Sequence, residues 1–162
     1  MRAASGAALT LLAVASARAT GGEDPGRELD FWTGNWKVEH PGMAGTGRSK
    51  VYVSPDKCIL MESWDGGKGH RGENVFAYST EEKAWHGLFT DNFGRVHPFT
   101  GTVSPGLGVF DGPSKGPDGE SVLNRVRIIR VSQDHVEQVW EKSKDAGATW
   151  SVEFKGEYVR ER

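Results

Sequence analysis

Apolar and polar residues alternate in short runs from Trp36 to the C terminus, and no window of a dozen residues keeps a helical period. This alternation predicts ten β-strands, which are Trp36–His40, Arg48–Ser54, Ile59–Trp64, Glu73–Tyr78, Ala84–Thr90, Arg95–Val103, Gly108–Gly112, Ser121–Val131, His135–Lys142 and Trp150–Arg160. Ten closely spaced strands without helical crossovers indicate an antiparallel meander closed into a barrel or packed as a sandwich. A single up-and-down barrel is the preferred prediction, since closure removes exposed strand edges.

Residues rich in Gly, Pro, Asn and Asp separate these runs and predict turns, among them Asn92-Phe93-Gly94 and the stretch from Pro113 to Gly119. Before the first strand, the segment Glu28 to Thr33 is too short for a stable free helix. We expect it to form one helical turn that packs Phe31 and Trp32 inward.

The first nineteen residues have the pattern of a secretory signal peptide. A short basic start at Arg2 precedes an apolar stretch over 7–14, and Ala17-Arg18-Ala19 fits a cleavage site. The run is shorter than the ~18 residues of a membrane-spanning helix. The sequence thus predicts cleavage after Ala19, a periplasmic or secreted protein without a membrane span, a flexible leader over 20–27 and a domain over 28–162. The alternative is an Ala-rich disordered tail.

The amino-acid composition limits the kinds of molecule that the protein is expected to bind. The 162 residues carry 20 Lys and Arg against 22 Asp and Glu, so no basic excess is available to bind a nucleic-acid backbone. The one cysteine, Cys58, excludes an internal disulfide and a cysteine-rich zinc site. Because Cys58 precedes the apolar run that starts at Ile59, we expect a packed thiol.

Five motifs follow one another along the chain in a specific order. They are L-D-F-W-x-G-x-W from Leu29 to Trp36, C-x-x-x-E-x-W from Cys58 to Trp64, Trp85 followed by Asp91 and Gly94, W-E-x-S-x-D-x-G-x-T-W from Trp140 to Trp150, and Y-x-R from Tyr158 to Arg160. The order resembles a family of uncharacterised, mostly exported bacterial domains of lipocalin-like (calycin) type. Lys57 and Ala146 stand where that family usually has glycine. The resemblance implies a lipocalin-like barrel and no general reaction.

The resemblance also implies a role for four residues at one end of the barrel. In lipocalin-like barrels an N-terminal helical turn plugs one end, a glycine bends the chain into the first strand, and a tryptophan covered by an arginine closes the floor. The matching residues here are Trp32, Gly34, Trp36 and Arg160. A related nitrobindin-like barrel binds haem through a histidine of its last strand. The last strand here contains no histidine, so no cofactor is predicted.

The five histidines lack the spacing of a metal motif, and no metal site is predicted. His86 and His97 flank the Asn92-Phe93-Gly94 turn. A four-residue loop would place both on one barrel face, whereas a three-residue loop would pair His97 with Phe89 and separate the two imidazoles.

One carboxylate stands out as a candidate cavity group. Glu62 alternates with Leu60 and Trp64, so the three side chains share a face. If that face is interior, Glu62 is a buried acid with a raised pKa or an arginine partner, which Arg125 or Arg127 could supply. The alternative is an outward or structurally paired glutamate. The predicted ligand-binding residues are Glu62, Trp64, His97, Arg125, Arg127, Gln138 and Trp140.

The preferred interpretation is a non-catalytic barrel that binds a small, partly apolar molecule. The first alternative is an isomerase, cyclase or hydrolase that uses acid/base chemistry in the cavity, although no catalytic residue is assigned. The second is a structural or interaction protein with a filled core. The chain has no G-x-S-x-G nucleophile motif and no phosphate-binding loop.

Overall fold

The computed structural model describes residues 26–41, 46–56 and 59–162. These residues form one short 3-10 turn, Asp30–Trp32, and ten strands, which confirms the all-β prediction. The strands are β1 (Gly34–Glu39), β2 (Thr46–Val53), β3 (Ile59–Asp65), β4 (Arg71–Ser79), β5 (Ala84–Asp91), β6 (Val96–Ser104), β7 (Leu107–Lys115), β8 (Ser121–Ser132), β9 (His135–Ser143) and β10 (Ser151–Arg160). The predicted signal peptide, most of the predicted leader and Cys58 lie outside the described residues.

The sheet is a closed antiparallel barrel in which every strand pairs with its neighbours in sequence. Closure comes from β1, which pairs with β2 on one side and with β10 on the other, with Trp36 opposite Arg160. Because the sheet closes on itself, none of the described strands is left as an exposed edge. No helix among the described residues is long and apolar enough to span a membrane.

One face of each strand forms the barrel interior. On β3 the residues Leu60, Glu62 and Trp64 are buried while their neighbours are more exposed. The same alternation extends along β8 from Val122 to Ile128. A strand presents successive side chains to opposite faces, so this period-two burial assigns every side chain of a strand to the interior or to the outer surface.

The N-terminal turn plugs one end of the barrel. Trp32 is fully buried there, and its carbonyl oxygen accepts a hydrogen bond of 2.9 Å from Trp36 Nε1. The Arg160 guanidinium lies 4.2 Å from the centre of the Trp36 ring and donates to the Thr33 carbonyl oxygen at 2.8 Å. Gly34 has φ of +145°, and a Cβ at this position would collide with the Arg160 guanidinium. The turn, the first strand and the last strand are thus joined at one point.

The predicted start of one turn is wrong. Pro113 was expected to end β7, but the strand continues to Lys115 and pairs with β8 along its whole length. Pairing between β6 and β7 stops at Asp111. Beyond Asp111, β7 needs hydrogen bonds on one side only, and a proline without an N–H group is tolerated there.

The plugged end supports a stability prediction. Trp36→Ala removes a fully buried indole together with the surface on which Arg160 stacks, so we expect the free energy of unfolding to fall by about 3–5 kcal/mol. Chemical denaturation followed by circular dichroism measures the change. Asn35→Ala, at the exposed neighbouring position, is the control and should change stability by less than about 0.5 kcal/mol. Equal effects of the two substitutions would contradict the role given to Trp36.

Candidate functional site

The half of the barrel away from the plug contains a cavity of about 730 Å³. This volume is within the ~300–1,000 Å³ typical of small-molecule sites. Six large aromatic side chains line it, namely Trp64, Phe76, Phe89, Phe99, Trp140 and Phe154. The closed end of the cavity contains Glu62, Asn74 and Gln138, and its open end contains charged residues. The space is therefore apolar along its length and polar at both ends.

Trp140 is the centre of the aromatic wall. Its ring meets Phe89 and Phe99 edge to face, with centroids 5.2 Å and 5.4 Å away. Its indole Nε1 donates to Asn124 Oδ1 at 3.0 Å, which fixes the orientation of the ring. Trp140 is only partly buried, so part of its surface is available to a molecule in the cavity.

Glu62 lies at the closed end without any solvent exposure. Its Oε1 accepts from Ser49 Oγ at 2.7 Å, and its Oε2 accepts from Asn74 Nδ2 at 2.6 Å. The hydroxyl of Tyr158 is 3.1 Å from Oε1. Among the described residues no cation forms an ion pair with this carboxyl group. Neutral hydrogen-bonding groups, in place of a counter-ion, surround the acid.

Burial raises the pKa of Glu62 from 4.5 to about 7, although hydrogen bonds from Ser49, Asn74 and Tyr158 oppose the rise. The pKa of Tyr158 is also raised, first by burial and then by the negative charge of Glu62. Near neutral pH the carboxyl group therefore exists in both protonation states, while the phenol keeps its proton.

Tyr158 connects this acid to a residue of the cavity wall. Its hydroxyl is 3.0 Å from Gln138 Oε1, on the neighbouring strand β9. Gln138 and Asn74 are each 7% exposed, whereas Glu62 has no exposed surface. A molecule at the closed end would thus contact the amides of Asn74 and Gln138. The carboxyl group of Glu62 would affect that molecule indirectly, through its hydrogen bonds to Asn74 and to Tyr158.

Charged residues surround the open end of the cavity. Its cations are Arg95, Lys115, Lys142 and Lys144. Three of the four are paired with acids, since Arg95 bonds Asp91, Lys142 bonds Glu153 and Lys144 bonds Glu120. Because most of the positive charge is balanced locally, this end has no strong preference for one sign of ligand charge.

His97 lies just inside the open end, with its ring 5.1 Å from that of Trp140. Its pKa is lowered by burial and by the positive charges of Lys142 and Arg95, so the imidazole is neutral at pH 7. The register pairs His97 with Phe89 and His86 with Thr100. The two histidines therefore point to opposite faces of the sheet, as expected for the shorter loop.

Five of the seven predicted ligand-binding residues border the cavity, namely Glu62, Trp64, His97, Gln138 and Trp140. The expectation that Arg125 and Arg127 face the interior is wrong, because both point outward from β8. Arg125 bonds Asp111 at 2.8 Å and stacks 4.1 Å from the centre of the Trp150 ring. Arg127 bonds Glu141 at 3.0 Å.

Two groups of the closed end were not predicted from the sequence. Asn74 alternates with the buried Phe76 on β4, which is the same signal that indicated Glu62. Tyr158 is two residues before Arg160 on β10 and is fully buried. Strand alternation was sufficient to find Asn74. The contact of Tyr158 with Glu62 joins residues 96 positions apart and depends on barrel closure.

No family model matches the chain, and no curated protein matches it. Among solved structures, one of EF1p2_mFAP2b bound to DFHBI is similar, with a TM-score of 0.37 and 15% sequence identity. The similarity covers 85% of this chain and 100% of that chain.

The buried acid makes the stability of the protein depend on pH. The pKa of Glu62 is about 7 in the folded protein and has an ordinary value of 4.5, so the folded state binds the proton more tightly between these values. The contribution of Glu62 is greatest below pH about 4.5 and is lost as the pH rises through about 7, a loss of about 3 kcal/mol. The variant Glu62→Gln should lack this loss.

Urea denaturation at a series of pH values measures the difference between the wild type and Glu62→Gln. Relative to this variant, the wild type should become less stable as the pH increases from about 5 to about 8.5. Glu39→Gln, at an exposed glutamate of β1, is the matched control and should follow the wild-type profile. A constant difference between the wild type and Glu62→Gln would show that Glu62 does not change protonation in this range.

Proposed function

We propose that this protein binds a small, partly apolar molecule in the cavity of its barrel. The observation that carries the proposal is a cavity of about 730 Å³ with aromatic walls and hydrogen-bonding groups at its closed end. Ligand sites in proteins have this combination of apolar surface and a few polar groups that fix orientation. The open volume argues against a barrel whose core is completely filled.

The proposal includes an exported protein of the lipocalin-like family. The residue pattern of 1–19 supports export, and the ordered motifs from Leu29 to Arg160 support the family. A closed ten-stranded barrel with an N-terminal turn and an arginine stacked on the floor tryptophan is compatible with that family. Expression in a bacterial host, followed by N-terminal sequencing of the envelope fraction, tests the export step, with a mature chain starting at Thr20 as the expected result.

A second candidate function is acid/base catalysis in the same cavity. The observation that favours it is Glu62, an acid without solvent exposure whose pKa of about 7 suits proton transfer at neutral pH. Incubating the natural ligand with the protein in deuterium oxide separates the two functions. A catalyst would introduce deuterium at an acidic C–H position of the ligand, and Glu62→Gln would stop the exchange. A simple binder would leave the C–H positions of the ligand without deuterium.

Native mass spectrometry of the protein purified from its own host tests binding directly. We expect a bound small molecule that is lost on denaturation. The neutral apolar dye Nile red gives a second measurement, because its fluorescence increases in a dry aromatic cavity. An apo mass together with no dye binding would refute the proposal.

A substitution in the cavity wall tests where the dye binds. Val122→Phe introduces a ring into the open space near Ser114 on the adjacent strand, and we expect Nile red affinity to fall at least about tenfold. Leu123→Phe, at the next position of β8 and on the outer face, is the matched control and should leave affinity unchanged. Equal loss in both variants would place the dye outside the barrel.

A further inference from the structure

The hydrogen atoms at the closed end of the cavity cannot be assigned when Glu62 is ionised and the oxygen of the Gln138 amide faces Tyr158. The Tyr158 hydroxyl is within hydrogen-bond distance of two oxygens, Glu62 Oε1 at 3.1 Å and Gln138 Oε1 at 3.0 Å. A phenol carries one hydrogen and can donate only once. The second contact therefore needs a hydrogen from Glu62 or from the amide of Gln138.

Two arrangements satisfy Glu62, Tyr158 and Gln138. When Glu62 is protonated, its carboxyl group donates to Tyr158, and Tyr158 donates to the amide oxygen of Gln138. When Glu62 is ionised, Tyr158 donates to the carboxylate, and the Gln138 amide is turned over so that its NH₂ group donates to Tyr158. Ser49 and Asn74 donate to Glu62 in both cases.

The two arrangements present different atoms to the cavity. Gln138 borders the cavity and keeps a small exposed surface, and its Nε2 has no hydrogen-bond partner among the described residues. With Glu62 protonated, the NH₂ group of Gln138 is the end available to a ligand, and it is a donor. With Glu62 ionised, the available end is the amide oxygen, which is an acceptor.

We propose, building on the proposed binding function, that the closed end selects a ligand whose leading group is a hydrogen-bond acceptor, such as a ketone or aldehyde oxygen, when Glu62 is protonated. Loss of that proton reverses the Gln138 amide through Tyr158 and replaces the donor with an acceptor. The carbonyl oxygen then faces another oxygen, and its binding weakens.

The groups that face Glu62 leave few other ways for pH to act on it. They are Ser49 on β2, Asn74 on β4 and Tyr158 on β10, and Gln138 on β9 contacts Tyr158. Of these only Tyr158 ionises, and its pKa is raised well above the ordinary value. The negative charge of Glu73 on β4 adds to the rise in the pKa of Glu62. His97 is at the open end and borders the same cavity, so its titration needs its own control.

The test uses two ligands of the same shape. 2-Acetylnaphthalene has a ketone oxygen, and 2-isopropenylnaphthalene has a CH₂ group in its place. The ketone should bind about fivefold more tightly to the wild type at pH about 5.5 than at pH about 8.5, which corresponds to one hydrogen bond. The hydrocarbon should bind equally at both pH values.

Three variants test whether the pH effect passes through the relay, which is the hydrogen-bonded chain from Glu62 through Tyr158 to Gln138, or arises elsewhere. Glu62→Gln keeps a donor toward Tyr158, so it should bind the ketone at the low-pH affinity throughout. Tyr158→Phe breaks the connection to Gln138 and should remove the pH dependence. His97→Gln should retain it. Infrared difference spectra provide a readout independent of ligand affinity, since ketone binding should increase a carboxylic-acid C=O band that is absent in Glu62→Gln.

The outcomes are distinguishable. Binding of both naphthalenes with the same pH profile, or a wild-type profile in Glu62→Gln, would overturn the relay and leave the cavity as a binding site. A pH dependence abolished by His97→Gln would assign the effect to the open end and also overturn the proposal. If neither compound binds at any pH and Nile red also fails to bind, the proposed function itself is refuted.

Discussion

The pairing of β1 with β10 is the contact on which the rest of the molecule depends. It closes the sheet, and it places Trp36 opposite Arg160, so the guanidinium covers the indole and reaches the backbone of the N-terminal turn. An open ten-stranded sheet would expose two edges and would have no interior. Closure creates an enclosed space, and because the N-terminal turn fills one end of the barrel, the cavity opens at the other end.

This geometry explains why the interior is filled at one end and open at the other. Near the plug, Trp32 contacts Phe76 and Tyr158 edge to face at about 6 Å. Toward the other end, Trp140 and its aromatic neighbours pack against the wall and leave the centre free. The position of Glu62 is the boundary between the two halves, where the packed core stops and the cavity starts.

The strand pattern was predictable because it depends on local chemistry. Alternation and turn residues predicted all ten strands, with most ends within two residues of the structure, since a barrel with one wet face and one dry face imposes period two on every strand. The error at Pro113 arose because the end of β7 depends on its pairing with β6, which stops early and cannot be recognised from the residues around Pro113.

It was harder to predict which face of each strand points to the barrel interior and which to the outer surface. Alternation shows that Arg125 and Arg127 share a face of β8, but it does not show which face is interior. The neighbouring residues Val126 and Ile128 are buried and apolar, and a choice between the two sets by hydrophobicity would have placed the arginines outside. Glu62 was the reverse case, a polar residue on the inner face, and its alternation with Leu60 and Trp64 identified it.

The outward position of those arginines determines the chemistry of the closed end. A guanidinium beside Glu62 would keep the carboxylate ionised at every physiological pH and would fix the hydrogen-bonding character of the site. Here the arginines form ion pairs on the outer surface, and the buried acid has only hydroxyl and amide partners. Such partners satisfy the neutral acid and the carboxylate, because a hydroxyl rotates and an amide can turn over. The barrel thus contains an acid whose protonation state responds to its surroundings. The adjacent cavity is large enough to hold a ligand, and a bound ligand would become part of those surroundings.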